Sequence, residues 1–498
     1  MTIRRADLAA GALSLLAVAA SLATAREVFE ELPHVEDEFA NLWQASVMAE
    51  GKIALPSPPE PPSFLVPFVV DHRGLRFGKY LPGWPATLAL GVATGAPYAV
   101  NPILAGVAVW LTYRLGTRLA GVAAGLLAAL LAGASPMVRM LSGTLMSHML
   151  SVELTLAFSL GWFELFGRGG DGVEARRVPR GVLAAAAGLS LGLLVLTRPL
   201  TALGVALPFV LHGVWLLARR RGEVARDLAR VAALALAVAA LWPTWQWAQT
   251  GDPWRNLYTL WWPYDRVGFG PGIGVLESGH TLGQAWINTR HSLAAWRHDL
   301  FGWPFVSWIF LPFGMWALRR RSEAWVAAAV FPSLIVVYLA YWVGSWLLGP
   351  RYFVEAVPAL AAVSAGGIVW LAGPAPARGR RIAIASLVVG LLLIDLAGYL
   401  PARLGGLRGL FGITRASLEA FQRVDPGAAV VVVRRNPAWH GYGNLLTLTA
   451  PFRESALLLV YERGPEIDAA VVGLYPDLAA FVYDPAQPGR LERWRRDG

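Results

Sequence analysis

The chain has no cysteine, only two lysines (Lys52 and Lys79) and few charges, with Asp, Glu, Lys and Arg making up 15% of 498 residues. Without cysteine there is no disulfide, no thiolate nucleophile and no Cys-ligated metal. The shortage of charge excludes an ordinary soluble domain. Hydrophobic residues reach 56%, with 22 Trp, against about 45–50% apolar in a typical globular chain. The net charge of +10 does not indicate nucleic acid as a partner. The arginines bunch between apolar runs, at Arg4-Arg5, Arg176-Arg177, Arg219 to Arg221, Arg319 to Arg321 and Arg378 to Arg381. That is the positive-inside pattern of an integral, multi-pass membrane protein. No internal repeat stands out, which weighs against an inverted-repeat transporter. The glycines of G-F-G-P-G-I-G (268–274) follow no strand and open no helix, so they match no nucleotide fingerprint. They read as a flexible surface loop able to order over a substrate.

The apolar runs predict about eleven membrane spans, near 7–25, 99–115, 119–136, 146–166, 182–198, 200–217, 230–248, 304–318, 324–344, 351–371 and 382–400. The first could pass for a signal peptide, but its length favours an uncleaved span. With Arg4-Arg5 inside, every Arg cluster falls on the cytoplasmic side. The long segments 26–82 and 249–303 then lie outside, with the tail. Segment 84–98 is short and broken by Gly-Ala-Pro, and reads as a short helix on the outer membrane surface. The expectation is an all-α polytopic membrane module over 1–400 and a small α/β extracytoplasmic cap over 401–498. In the cap, Ala428–Val433 and Ala469–Leu474 read as strands and Arg415–Val424 as an amphipathic helix.

Polar candidates gather at the outer ends of these spans. The first outer loop opens with six carboxylates, Glu27, Glu30, Glu31, Glu36, Asp37 and Glu38. Glu27, Glu30 and Glu31 read as a solvated face. Asp37 or Glu38, on a segment lying flat against the membrane, could serve as a general base. The same loop continues through the extended, polyproline-like P-S-P-P-E-P-P-S-F (56–64) to Lys79 and Tyr80, a cation among aromatics suited to a phosphate. Snorkelling to the interface is the competing explanation for that lysine. His148 and Glu153 sit on the fourth span, where ionisable groups are expensive and hence functional candidates. Arg198, and Arg351 with Tyr352, mark outer helix ends suited either to a lipid phosphate or to an anchoring belt.

The order of these motifs resembles the GT-C superfamily of integral-membrane glycosyltransferases, nearest the family 39 protein mannosyltransferase and aminoarabinose lipid A transferase branch. The resemblance spans about residues 5–370. Its carriers are E-D-E-F-A-N (36–41), F-G-K-Y-L-P-G-W-P (77–85), Y-R-L-G-T-R-L-A-G (113–121), A-S-P (134–136), T-R-P-L-T-A-L (197–203) and P-R-Y-F (350–353). It implies a sugar donor linked to a polyprenyl phosphate, an acidic base at Asp37 or Glu38, and donor contacts at Lys79, Arg351 and Tyr352. Relatives also carry an Asp after the third span, where this chain has His148 and no acid. A divalent cation (Mg²⁺ or Mn²⁺) is therefore left open, with Asp37 and His148 as its only candidate ligands. The implied reaction is an inverting displacement onto a lipid, glycan or protein acceptor at the extracytoplasmic face. The rivals are a transporter or flippase of lipid-linked glycans, a diphosphate-donor ligase or polymerase, and a non-catalytic assembly subunit.

Overall fold

An uninterrupted apolar run forms the first helix, α1 (Ile3–Glu27), and the proline and extended Val35 that follow set the start of the next. The computed structural model describes residues 3–167, 178–219, 222–374, 378–435 and 438–495. Arg176-Arg177 and Arg220-Arg221 lie outside them. The next helices are α2 (Glu36–Ala49), α3 (Gly83–Ala93), α4 (Val100–Ala120), α5 (Val122–Ala134), α6 (Pro136–Ser142), α7 (His148–Phe166), α8 (Arg180–Thr197) and α9 (Pro199–Arg219). Then come α10 (Glu223–Ala239), α11 (Leu241–Thr250), α12 (Tyr258–Trp261), α13 (Leu282–Asp299), α14 (Leu311–Ala317), α15 (Ser322–Tyr338), α16 (Val357–Ala372) and α17 (Arg378–Ile394). The tail holds α18 (Leu400–Gly405), α19 (Arg415–Gln422), α20 (His440–Gly443) and α21 (Pro465–Gly473).

Among the described residues six helices are long and apolar enough to cross a membrane, or up to eight if each bent pair is one span. Several of the runs behind the sequence count of about eleven are shorter or broken as helices. The run at 230–248 divides between α10 and α11, ahead of Pro243. The run at 304–318 holds only the seven residues of α14, and 324–344 is helical only as far as Tyr338. Within segment 84–98 the helix α3 ends at Ala93, and the helical stretch that starts at Pro97 turns away from it by 119°.

Two long loops build the site. The first, residues 28–82, contains α2 and a three-stranded sheet of order β1 (Leu55–Pro56), β3 (Leu75–Gly78), β2 (Val69–His72). The proline-rich stretch is thus only partly extended, since Pro61–Phe64 forms a 3₁₀ turn. The expectation that α2 lies flat on a membrane is wrong. Its residues Glu38 to Val47 are all buried. Phe39, Trp43 and Val47 pack with Ile413, Phe421 and Tyr442 of the tail, while Leu42 and Ala45 pack against Trp84 and Leu88 of α3. The second loop, residues 251–310, contains α12 and α13.

The tail carries a four-stranded sheet of order β5 (Leu458–Tyr461), β4 (Ala429–Val433), β6 (Ala479–Tyr483), β7 (Leu491–Arg493), with β4 parallel to both neighbours. The strand expected at Ala469–Leu474 is a correction: these residues belong mostly to α21. Pro465 opens that helix, and Asp468 in its first turn accepts hydrogen bonds from the Arg463 and Gly464 amides at 2.9 and 3.1 Å. A proline start and an acidic first turn outweigh the short apolar run.

Candidate active site

Where the two loops meet the ends of α7, α8, α15 and α16, they enclose a cavity of 690 Å³. Asp37, Lys79, Tyr80, His148, Arg198, Arg351 and Tyr352 all line it. Glu38 and Glu153 do not.

Asp37 sits in the first turn of α2, where three consecutive acids complement the exposed N–H groups of the helix start. Its Oδ1 accepts a hydrogen bond from the Tyr80 hydroxyl at 2.7 Å, and its Oδ2 lies 3.8 Å from Arg351. The side chain keeps 25% exposure, so part of the carboxylate stays open to the cavity. Glu38 points the other way. Its oxygens accept the backbone N–H groups of His34 at 3.2 Å and Leu145 at 2.8 Å. Burial pushes its carboxyl up to about 7, because those hydrogen bonds offset only part of the lost hydration. Glu38 therefore pins α2 to the turn before α7.

That turn is held from four sides. Besides Glu38, the Asn41 amide and the Trp84 indole donate to the Leu145 carbonyl at 3.4 and 2.8 Å, and Asn101 donates to Thr144 and Met146 at 2.6 and 2.8 Å. The result is a fixed presentation of Ser147 and His148 to the cavity. His148 is fully buried, and neither ring nitrogen has a hydrogen-bond partner.

The cations differ in availability. Lys79 is 2% exposed and its Nζ lies 3.3 Å from Asp265. The ammonium sits 3.4 Å over the Phe68 ring. Arg198, at the α8–α9 junction, donates to Thr201 and Tyr338 at 3.1 Å each and to Ser147 at 3.4 Å, with Glu355 at 3.7 Å. Arg351 leaves Nη1 without a hydrogen bond. Both guanidinium groups flank the Tyr352 ring, at 5.8 and 5.5 Å from its centre, and Tyr352 stacks on Tyr338 at 4.5 Å. Orphaned buried donors are costly unless a ligand meets them. Here Arg351 Nη1 and the His148 ring face one cavity.

Glu153 lies within α7, 7% exposed, with Oε1 unbonded and away from the cavity. Asp37 and His148 do not fit a divalent cation. Among the described residues no three His, Asp or Glu side chains converge on one point, and Asp37 already faces Arg351. Sequence reasoning missed Asp265, Glu36, Tyr258, Trp262, Tyr338 and Trp342, all on the cavity wall. An acid closing the aromatic run W-W-P-Y-D (261–265) was a usable signal for the first. The loop 268–274 is tied down by hydrogen bonds from the Gly268 N–H to the Ala340 carbonyl at 2.7 Å and from the Gly274 N–H to the Tyr264 carbonyl at 3.0 Å.

No family model matches the sequence, and no curated protein matches it either. Solved structures do. ArnT from Cupriavidus metallidurans bound to undecaprenyl phosphate aligns over 94% of this chain and 92% of its own, at 13% identity and a TM-score of 0.56. The fold is that of the GT-C membrane glycosyltransferases. The Archaeoglobus fulgidus oligosaccharyltransferase shares this GT-C fold over 95% of this chain and 69% of its own, at 12% identity and a TM-score of 0.55. The oligosaccharyltransferase AglB from Archaeoglobus fulgidus, in complex with an inhibitory peptide and a dolichol-phosphate, aligns with a TM-score of 0.54 at 13% identity.

Proposed function

We propose that the chain is a membrane glycosyltransferase that moves a sugar from a polyprenyl-phosphate donor to an acceptor hydroxyl. One observation carries the reading. A partly open carboxylate, Asp37, and two arginines, Arg198 and Arg351, meet in a cavity that also holds unpartnered buried donors. The lipid phosphates in the ArnT and AglB structures support the donor class. The cavity's apolar side, with Trp84, Pro199, Leu200 and Trp242, suits the first isoprene units.

The reaction is a single displacement. Asp37 takes the acceptor hydroxyl proton, and the acceptor oxygen bonds to the anomeric carbon. The carbon–oxygen bond to phosphate breaks on the opposite side, and its electron pair stays with the phosphate. Arg351 and Arg198 stabilise the charge that develops there. The anomeric centre inverts. Tyr80 orients Asp37, and no step passes through a metal. The reading places the cavity on the extracytoplasmic face. In support, Arg118 and the exposed Arg319 to Arg321 lie at the opposite ends of α4 and α15 from the cavity, with Arg321 bonded to the Arg118 carbonyl at 3.2 Å.

Binding of undecaprenyl phosphate to the protein in lipid discs, followed by native mass spectrometry, tests the phosphate site. Arg351→Ala and Arg198→Ala are each expected to weaken it about tenfold or more, the loss of a charge-assisted contact. Unchanged affinity in both variants would remove the arginines from the phosphate site.

A further inference from the structure

Asp265 has no part in the displacement above, yet it is a 3%-exposed carboxylate on the cavity wall. It belongs to the second long loop, 186 residues from Lys79. Its Oδ2 accepts from the Lys79 ammonium at 3.3 Å. Its Oδ1 accepts from the Trp342 indole at 3.0 Å and the Tyr341 hydroxyl at 3.4 Å, both just beyond α15. One carboxylate thus joins three segments that are distant in sequence. Around the ammonium, Phe68 comes from the first loop, while Tyr258 and Trp262, each 5.0 Å away, come from the second. A cation–π box stabilises an ammonium but does not replace its counter-ion, and a buried cation stripped of its partner is costly.

We propose that Asp265 is a positioning residue: it holds the Lys79 ammonium at the cavity wall and so latches the second long loop onto the first, and the donor binds only with this latch closed. The donor part rests on the glycosyltransferase reading. The latch does not. The inference changes the part expected of Lys79, whose carboxylate partner Asp265 is nearer, at 3.3 Å, than Glu355 is to Arg198, at 3.7 Å, or Asp37 to Arg351, at 3.8 Å. Lys79 organises the wall, and the phosphate is left to Arg198 and Arg351.

The electrostatics give the latch a signature. Burial pushes the Lys79 ammonium below the ordinary lysine range, and Asp265, with smaller help from Asp37 and Glu36, pulls it back up. Two further titratable side chains, Tyr80 and Tyr258, turn their rings to it, with centres 5.6 and 5.0 Å away. With Asp265 neutralised, desolvation is less opposed, and Lys79 gives up its proton at lower pH.

Because the chain has only two lysines, protein labelled with ¹³C at lysine Cε shows two resonances, and Lys52→Arg assigns them. In lipid discs, Asp265→Asn is expected to lower the Lys79 titration midpoint by about one pH unit or more. Asp265→Glu, which keeps the charge, should stay close to wild type. Hydrogen exchange at the amides of residues 264–274 should rise in Asp265→Asn and not in Asp265→Glu. Binding of undecaprenyl phosphate should weaken about tenfold in Asp265→Asn and recover in Asp265→Glu. An unmoved Lys79 midpoint in folded Asp265→Asn overturns the latch, whatever the binding assay reads. A lowered midpoint in a protein whose wild type binds no polyprenyl phosphate supports the latch and sinks the donor reading instead.

Discussion

Asp37 and Glu38 are adjacent, chemically almost alike, and placed in opposite surroundings. Helix geometry turns one into the cavity and the other onto the backbone of the turn before α7. Their variants should part accordingly. Asp37→Asn is expected to slow transfer by about 10²-fold or more, the usual contribution of a general base, with donor binding retained. Glu38→Gln should instead change the pH dependence of stability. The folded carboxyl keeps its proton up to about 7 and the unfolded one releases it near 4.5. The folded state therefore binds more protons between these values. Its contribution is full below about 4.5, falls as pH rises, and is gone above about 7, an effect of order 3 kcal/mol. Thermal unfolding from pH 4.5 to 7.5 should show that slope in wild type and lose it in Glu38→Gln. The sequence could point to this pair but not choose within it, because the choice depends on where Leu145, 107 residues away, comes to lie. The same holds for Lys79. Its aromatic setting was legible, but its pairing with Asp265, 186 residues away, was not.

At the scale of elements, the turn joining α6 to α7 is the piece that the rest of the site leans on. Asn101, 1% exposed, satisfies two of its carbonyls. Asn101→Leu leaves both unmet and should cost about 1–3 kcal/mol each at most, read as a lower unfolding midpoint together with weaker donor binding through a displaced His148. Long apolar helices such as α1, α7 and α16 were plain in the sequence because composition alone sets them. The misreadings came where local signals compete. Pro243 divides one predicted span, and Pro465 with Asp468 turns a Val-rich run into α21. The flat, amphipathic α2 of the sequence reading is a buried helix because the tail covers its Phe39, Trp43 and Val47 face, a long-range contact that periodicity does not report.

For the whole molecule, that contact makes the tail part of the site's support. Removing residues 413–498 would uncover the tail-facing side of α2 and leave Asp37 on an unsupported helix. The truncated chain is expected to lose stability and donor binding together, checked by unfolding in detergent beside the ligand assay. Sequence order and sidedness were enough to indicate the GT-C architecture, and the comparison of folds agrees. What they could not supply was the meeting of two loops at one cavity. The central claim is that this cavity transfers a sugar from a lipid phosphate. It is tested most directly by incubating wild type and Asp37→Asn in lipid discs with a panel of polyprenyl-phosphate sugars and candidate acceptors, and following free polyprenyl phosphate by mass spectrometry. Wild type should release it with one donor, and Asp37→Asn should bind that donor without releasing it. Equal release by the two proteins, or no binding of any polyprenyl-phosphate sugar by either, would contradict the account.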